Sequence, residues 1–154
     1  GIKSGDTVLV QGTGGVALFA LQFARLAGAR VIALSSSDEK LARARQLGAD
    51  AGINYRSTPD WHLAVKDATA GRGVDIVVET AGATLDKSLA ALAFGGFVGV
   101  VGFVAGYKAE IPIRTLLGPM IRVRWPDGTE ETFPGGAADR YITVRRGAGT
   151  LVKE

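Results

Sequence analysis

Thr7-Val8-Leu9-Val10-Gln11-Gly12-Thr13-Gly14-Gly15-Val16-Ala17, with the run that follows it to Gly28, is the stretch that decides how this chain folds. Thr7 to Gln11 is short, apolar and rich in β-branched residues, which predicts a buried strand. Val16 to Ala27 is mostly Ala, Leu, Phe and Val, the pattern of a helix packed on a sheet. Between them, Gly12, Gly14 and Ala17 form G-x-G-x-x-A, a variant of the dinucleotide fingerprint. The spacing has a steric logic. Gly12 permits a sharp turn from strand to helix. Gly14, lacking a side chain, lets a diphosphate approach the backbone. Ala17 is small enough for the helix to lie close on the strand. The helix N-terminus would then aim free N–H groups and a partial positive charge at the phosphates. Arg30 to Leu34 supplies the second strand that this motif needs as context.

Read in order, the chain alternates strand and helix. Gly28 ends the first helix. Ser35-Ser36-Ser37-Asp38 reads as a loop and N-cap, and Glu39 to Leu47 as an Arg/Ala-rich helix closed by Gly48. Ala51 to Tyr55 is a short strand. Thr58-Pro59 opens a helix over about 60–69. Val74 to Glu79 is a strand, Ala83 to Ala93 a helix, Gly95-Gly96 a turn, and Phe97 to Val101 a strand. Five strands alternating with helices imply an α/β fold: a Rossmann-like, doubly wound parallel sheet with helices on both faces. In such sheets ligands sit beyond the carboxyl ends of the strands. Five turns gather there: 12–15, 35–37, Tyr55, 80–82 and 102–103.

The period then changes. After a loop at 102–110, Pro112 to Leu117 fits one or two helical turns. Ile121 to Trp125 and Thr129 to Phe133 alternate around Pro126-Asp127-Gly128, which predicts a β-hairpin. Tyr141 to Arg145 alternates again. The join near Gly118 divides a dinucleotide-binding unit, 1–118, from a β-rich tail, 119–154, ending in a hairpin or meander.

The composition of the 154 residues narrows the function classes. The length suffices for one domain with a sizeable core. Net charge is +3, but the basic residues are scattered among acidic ones, so no nucleic-acid surface is expected. No apolar run reaches membrane-spanning length and no signal peptide is visible, so neither a membrane nor secretion is expected. The chain has no cysteine, which removes disulfides and thiolate metal sites and fits a reducing, cytoplasmic setting. Gly1 in place of an initiator Met suggests a piece of a longer protein or a processed start.

Residues 1 to 117 resemble the cofactor-binding domain of the medium-chain dehydrogenases/reductases, in the branch of zinc-type alcohol dehydrogenases and quinone oxidoreductases. The resemblance is carried by Gly5-Asp6-Thr7 through Val16, Glu39-Lys40-Leu41 with Leu47-Gly48-Ala49-Asp50, Ile53-Asn54-Tyr55-Arg56, Gly71-Arg72-Gly73-Val74-Asp75, and Val100-Val101-Gly102-Phe103. Residues 121–151, from Arg124-Trp125-Pro126-Asp127-Gly128-Thr129 to Arg140-Tyr141-Ile142-Thr143-Val144-Arg145, are similar to the short ASPIC/UnbV domain. The family's catalytic domain, with its Cys, His and Glu zinc ligands, has no counterpart in this sequence, so no zinc is expected in this chain.

The resemblance implies a site. Gly12, Thr13, Gly14, Gly15 and Val16 would hold the diphosphate. Ala81, Gly82, Gly102 and Phe103 would meet the ribose and nicotinamide through their backbones. Ser35-Ser36-Ser37 stands where an NAD site carries a ribose-binding carboxylate. Ser35 and Ser36 offer hydroxyls, and Lys40 and Tyr55 match the Lys and Tyr that hold a 2′-phosphate in quinone oxidoreductases. Asp38 is better explained as a helix cap. NADP(H) is therefore favoured over NAD(H). The missing carboxylate also weighs against S-adenosylmethionine.

No catalytic residue is assigned. Hydride transfer needs a metal or a positioned acid beside the nicotinamide, and no such set is present. Glu79 ends a strand facing the crevice with no proton to move, and His62 reads as an exposed bystander. The expectation is the NAD(P)(H)-binding domain of an oxidoreductase, inactive alone. The alternative is a structural or oligomerisation module with a vestigial nucleotide site. The resemblance places Ile121 to Trp125 at the family's sixth strand, often an edge that pairs with a second subunit, so a homodimer through this C-terminal edge is expected.

Overall fold

The computed structural model describes residues 1–106, 108–112, 120–124, 127–134, 141–143, 147 and 150–151. Among them the order is β1 (Thr7–Gln11), α1 (Gly15–Leu26), β2 (Arg30–Ser35), α2 (Asp38–Gln46), β3 (Ala51–Asn54), α3 (Trp61–Ala68), β4 (Val74–Glu79), α4 (Leu85–Ala91) and β5 (Leu92–Val100). Five shorter strands follow: β6 (Glu110–Pro112), β7 (Met120–Arg124), β8 (Glu130–Pro134), β9 (Tyr141–Thr143) and β10 (Thr150–Leu151).

The sheet runs β10-β8-β7-β5-β4-β1-β2-β3. Pairing is parallel from β3 through β5. The chain therefore builds β2 and β3 on one side of β1, then crosses to β4 on the other, placing a topological switch point between β1 and β4. This is the Rossmann-like α/β fold expected from the sequence.

Strand residues alternate between two cores. Val8, Val10, Val31 and Ala33 pack with Leu21 and Ala24 of α1 and Leu41 and Ala44 of α2. Leu9, Ile32, Leu34 and Val77 pack on the other face with Trp61 and Val65 of α3 and Leu85 and Leu89 of α4. Two covered faces explain why β1 and β2 read as continuous apolar runs without alternation.

Several boundaries differ from the sequence reading. The cap of α2 is Ser37, whose Oγ accepts from Lys40 N, while Asp38 is already helical and accepts from Asn54 Nδ2 at 3.0 Å. Pro59 lies before α3, which starts at Trp61 after Asp60. Helix α4 stops at Ala91 because Leu92 is extended, pairs with Val74 and gives its carbonyl to Lys66 Nζ at 2.6 Å. Residues 93–96 bulge out before register resumes at Phe97, so Gly95-Gly96 is a bulge inside β5. Pro112 lies in a strand, and the expected helical turns over 113–117 lie outside the described residues.

The hairpin is present. β7 and β8 pair antiparallel from Met120↔Pro134 to Arg124↔Glu130. In the turn, Asp127 Oδ1 accepts from Thr129 N at 3.1 Å and from Thr129 Oγ1 at 2.6 Å. β7 joins β5 in parallel through Gly99↔Arg124, β8 covers its other side, and β10 covers β8. Of the edge expected at 121–125, residues 121–124 are therefore paired and Trp125 lies outside the described residues; β10 is the outer strand on that side among the described residues. β9 instead pairs with β6 in a separate two-stranded sheet.

One ion pair ties the first strand to the fourth. Asp75 lies beside Arg72, at 2.7 and 2.8 Å, and accepts from Thr7 N at 2.7 Å. The Arg72 guanidinium and the Thr7 amide hold its carboxyl at about 2, below its ordinary 3.8. A carboxylate whose folded pKa is depressed stabilises the fold above the unfolded value and loses that contribution as pH falls through the folded one. Asp75→Asn should melt below the wild type above about pH 4, by on the order of a few degrees because the pair is partly exposed. The gap should close as pH falls from 4 towards 2. Thermal melts across that range check it, and a pH-independent gap would contradict it.

Candidate functional site

At the switch point the backbone leaves β1 through Gly12, whose φ of +81° suits glycine alone among the residues nearby. The chain then enters α1 at Gly14, extended at φ −79° and ψ 177°, with no side chain capping the helix. Leu18 N bonds to Gly14 O at 2.9 Å, so the first helical turn is formed and the N–H groups before it remain unpaired by any cap. A Cβ at Gly14 or Gly15 would meet nothing within 4 Å. The turn is open on the side where a ligand would lie, and Ala17 beneath it is buried.

That turn is one wall of a cleft of about 960 Å3. Gly12 through Ala17 line its centre. On the β2/β3 side stand Leu34, Ser35, Ser36, Lys40, Tyr55, Pro59 and Trp61. On the β4/β5 side stand Thr80, Ala81, Thr84, Lys87, Val101, Gly102, Val104 and Ala105. The predicted Gly12, Thr13, Gly14, Gly15, Val16, Ser35, Ser36, Lys40, Tyr55, Ala81 and Gly102 thus converge on one cleft.

Two predicted residues do not line it. Gly82 is buried under the loop after β5, where a Cβ would overlap Gly106 O and the Phe103 ring. Phe103 packs against the core beneath. Their place is under the site, because the turn after β4 and the loop after β5 bond to each other: Val104 N to Thr80 O at 3.2 Å and Ala105 N to Ala81 O at 2.8 Å.

The cation count on the β2/β3 side is one. Lys40 is exposed, and its ammonium has no partner among the described residues. Lys87 on the opposite wall is engaged with Pro59 O at 2.7 Å and Asp60 Oδ1 at 3.4 Å. Of the three serines, Ser35 is buried with its Oγ 3.3 Å from Thr13 Oγ1, and Ser37 caps α2. Ser36 is half-buried with no hydrogen bond among the described residues. Among the described residues no Asp or Glu lines the cleft.

Glu79 does not face the crevice as its sequence position suggests. It is fully buried under the turn after β4, accepting from Ala81 N, Gly82 N, Gln11 Nε2 and Ser88 Oγ. His62 is half-buried against Trp61, and its buried Nδ1 has no hydrogen-bond partner among the described residues. It lies off the cleft lining. Gln11, which the sequence reading did not single out, also lines the cleft. Its signal was a polar residue closing an otherwise apolar buried strand.

An open glycine turn at a helix N-terminus, centred in a cleft at the switch point, is a geometry that can seat a diphosphate. The family model for zinc-binding dehydrogenases matches residues 15–141, and the chain belongs to that family. A zinc-type alcohol dehydrogenase-like protein of Schizosaccharomyces pombe is 46% identical over 121 residues, 78% of this chain and 35% of that protein. A Sinorhizobium meliloti 1021 protein classed as an alcohol dehydrogenase superposes with a TM-score of 0.70 at 50% identity, over 75% of this chain and 34% of that one. A mycobacterial protein solved as its complex with NADPH superposes at 0.63 with 39% identity, over 68% and 33%. The chain thus spans about a third of the length of the relatives it matches.

The residues present fit a dinucleotide, since the diphosphate position is bare of side chains and backed by free amides. The described residues gather no ligand set for a zinc ion. The chain has one His and no Cys, and among the described residues no three His, Asp or Glu cluster. Among the same residues no helix is long and apolar enough to cross a membrane.

Gly12 and Gly14 should respond unequally to alanine. Gly12→Ala forces a left-handed L-residue and should lower unfolding free energy by about 1–2 kcal/mol. Gly14→Ala has open space and an extended backbone, so its cost should stay below about 1 kcal/mol. Urea unfolding of both variants checks this, and equal losses would contradict the geometry.

Proposed function

We propose that this chain is the NADP(H)-binding domain of a zinc-type alcohol dehydrogenase or quinone oxidoreductase-like enzyme, residues 1–118 forming the binding unit and 119–154 a β-rich tail. The observation that carries the reading is the uncapped α1 N-terminus behind bare Gly14 and Gly15 in the cleft. Amides there would hold the diphosphate. The adenosine half would lie toward Ser36, Lys40 and Tyr55, and the nicotinamide half toward Ala81 and Gly102. A bound nicotinamide supplies hydride chemistry. What these residues contribute is binding and orientation. Among the described residues no group is placed to polarise a substrate, so catalysis would require further groups.

Among the described residues the cleft has no carboxylate and the Lys40 ammonium has no partner, which supports a 2′-phosphate, hence NADP(H) over NAD(H). The relative solved with NADPH supports the same choice. A cytoplasmic setting fits this reading. The ASPIC/UnbV-like segment is retained for 121–151, and a homodimer would use the outer edge at β10.

A second reading, a structural or oligomerisation module, has one observation in its favour. α1 exposes Val16, Phe19, Phe23 and Leu26, with Phe19 and Phe23 stacked at 6.3 Å. Such a stripe fits a protein contact.

Titration separates the two. NADPH at 100 times its dissociation constant should raise stability by about 2.7 kcal/mol. NADH should bind more weakly. Lys40→Ala should weaken NADPH about tenfold and leave NADH unchanged. No melting shift with either nucleotide at millimolar concentration would overturn the cofactor reading in favour of the module.

A further inference from the structure

Beneath the β4/β5 wall lies a buried polar cluster. Gln11, Glu79 and Ser88 are all nine-tenths or more buried. Glu79 Oε1 accepts from Ala81 N at 2.8 Å and Gly82 N at 2.9 Å. Glu79 Oε2 accepts from Gln11 Nε2 at 2.8 Å and from Ser88 Oγ. Gln11 Nε2 also donates to Ser88 Oγ at 2.7 Å. The other end of the same amide faces the turn: Gln11 Oε1 accepts from Thr80 N at 3.3 Å and Ala81 N at 3.4 Å. Thr84 Oγ1 closes the cluster at 3.3 Å from Glu79 Oε1.

The arrangement of donors and acceptors in this cluster follows from its backbone members. Thr80, Ala81 and Gly82 amides can only donate. They fix oxygen on the near side of both Gln11 and Glu79. Gln11 must then turn its NH2 toward Glu79, which meets it with oxygen. No internal flip is allowed. The cluster ties the end of β1, one residue before Gly12, to the turn after β4. That turn in turn holds the loop after β5 through Thr80 O and Ala81 O.

We propose that Glu79 is a positioning residue that sets the nicotinamide-side wall of the cleft, acting through Gln11 and the Thr80–Gly82 amides without touching the ligand. The inference rests on the cofactor reading above. It separates the two halves of the cleft. The β2/β3 wall, with Ser36, Lys40 and Tyr55, has no bond to the cluster, so an adenosine-half ligand should be indifferent to it.

Glu79→Gln tests this. A glutamine at 79 that keeps oxygen on Ala81 and Gly82 presents NH2 to the NH2 of Gln11. If Gln11 turns over, its NH2 meets the Thr80 and Ala81 amides. One buried donor stays unpaired in either arrangement. The exchanged pair, Gln11→Glu with Glu79→Gln, restores every bond: oxygen on Thr80 and Ala81, oxygen toward the glutamine NH2 and Ser88 Oγ, and oxygen on Ala81 and Gly82.

The measurement is calorimetric titration of the full chain with NADPH and with 2′,5′-ADP. In Glu79→Gln the NADPH dissociation constant should rise about tenfold, and that for 2′,5′-ADP should stay within about twofold. The exchanged pair should recover NADPH affinity to within about threefold of wild type. Where Glu79→Gln fails to fold, the exchanged pair alone carries the test, and its failure to bind NADPH overturns the proposal. Wild-type binding with unchanged NADPH affinity in Glu79→Gln, or equal losses for both ligands, overturns the positioning role and leaves the cofactor reading standing. A wild-type chain that binds neither ligand overturns the cofactor reading itself, and the proposal with it.

Discussion

A single backbone bend organises this molecule. Gly12 takes a left-handed conformation at the end of a buried strand, and the chain reverses into α1 within three residues. Because nothing caps α1, the first amides of the helix point outward beside two glycines without neighbours. The rest of the sheet sets where that bend sits. β2 and β3 stack on one side of β1 and β4 on the other, so the bend opens into a crevice rather than onto a flat face. The cleft is lined by the turns at the carboxyl ends of these strands and by residues of the helices that follow them, among them Lys40, Trp61 and Lys87.

Stability and function divide cleanly along the strand direction. The amino ends of β1 and β4 are joined by Asp75, Arg72 and the Thr7 amide. Their carboxyl ends are joined by Gln11 and Glu79. The first junction is partly exposed and ionic. The second is buried and built from hydrogen bonds that admit only one orientation of the Gln11 amide. A buried carboxylate without partners would be costly, and Glu79 escapes that cost because main-chain and side-chain donors surround it.

Most of the parallel fold was legible because its signals are local. Val74 to Glu79 appears as a strand with the bounds its apolar run suggests, and the hairpin turn at Asp127-Gly128 follows from side-chain capping within three residues. The cleft residues were legible because turns after parallel strands must gather at one edge. What sequence could not supply was long-range. Glu79 looks crevice-facing until its partners, up to 68 positions away in Gln11, draw it inward. α4 looks longer until Lys66 captures the Leu92 carbonyl. Ser37 and Asp38 are both good caps, and only Asn54 on the neighbouring strand decides between them. The hairpin at 121–133 is announced locally, but nothing local announces that β10, at Thr150–Leu151, covers β8 and moves the outer edge there.

The central claim is that the bend at 12–15 receives a diphosphate on free helix amides. Backbone amide shifts of the 15N-labelled chain, followed during NADPH addition, test it most directly. Saturable shifts at Gly14, Gly15 and Val16, larger than those at Lys66, Asp67 and Ala68 at the end of α3 outside the cleft lining, are the predicted result. Binding that leaves those three amides unmoved, with the shifts gathered elsewhere, would contradict it.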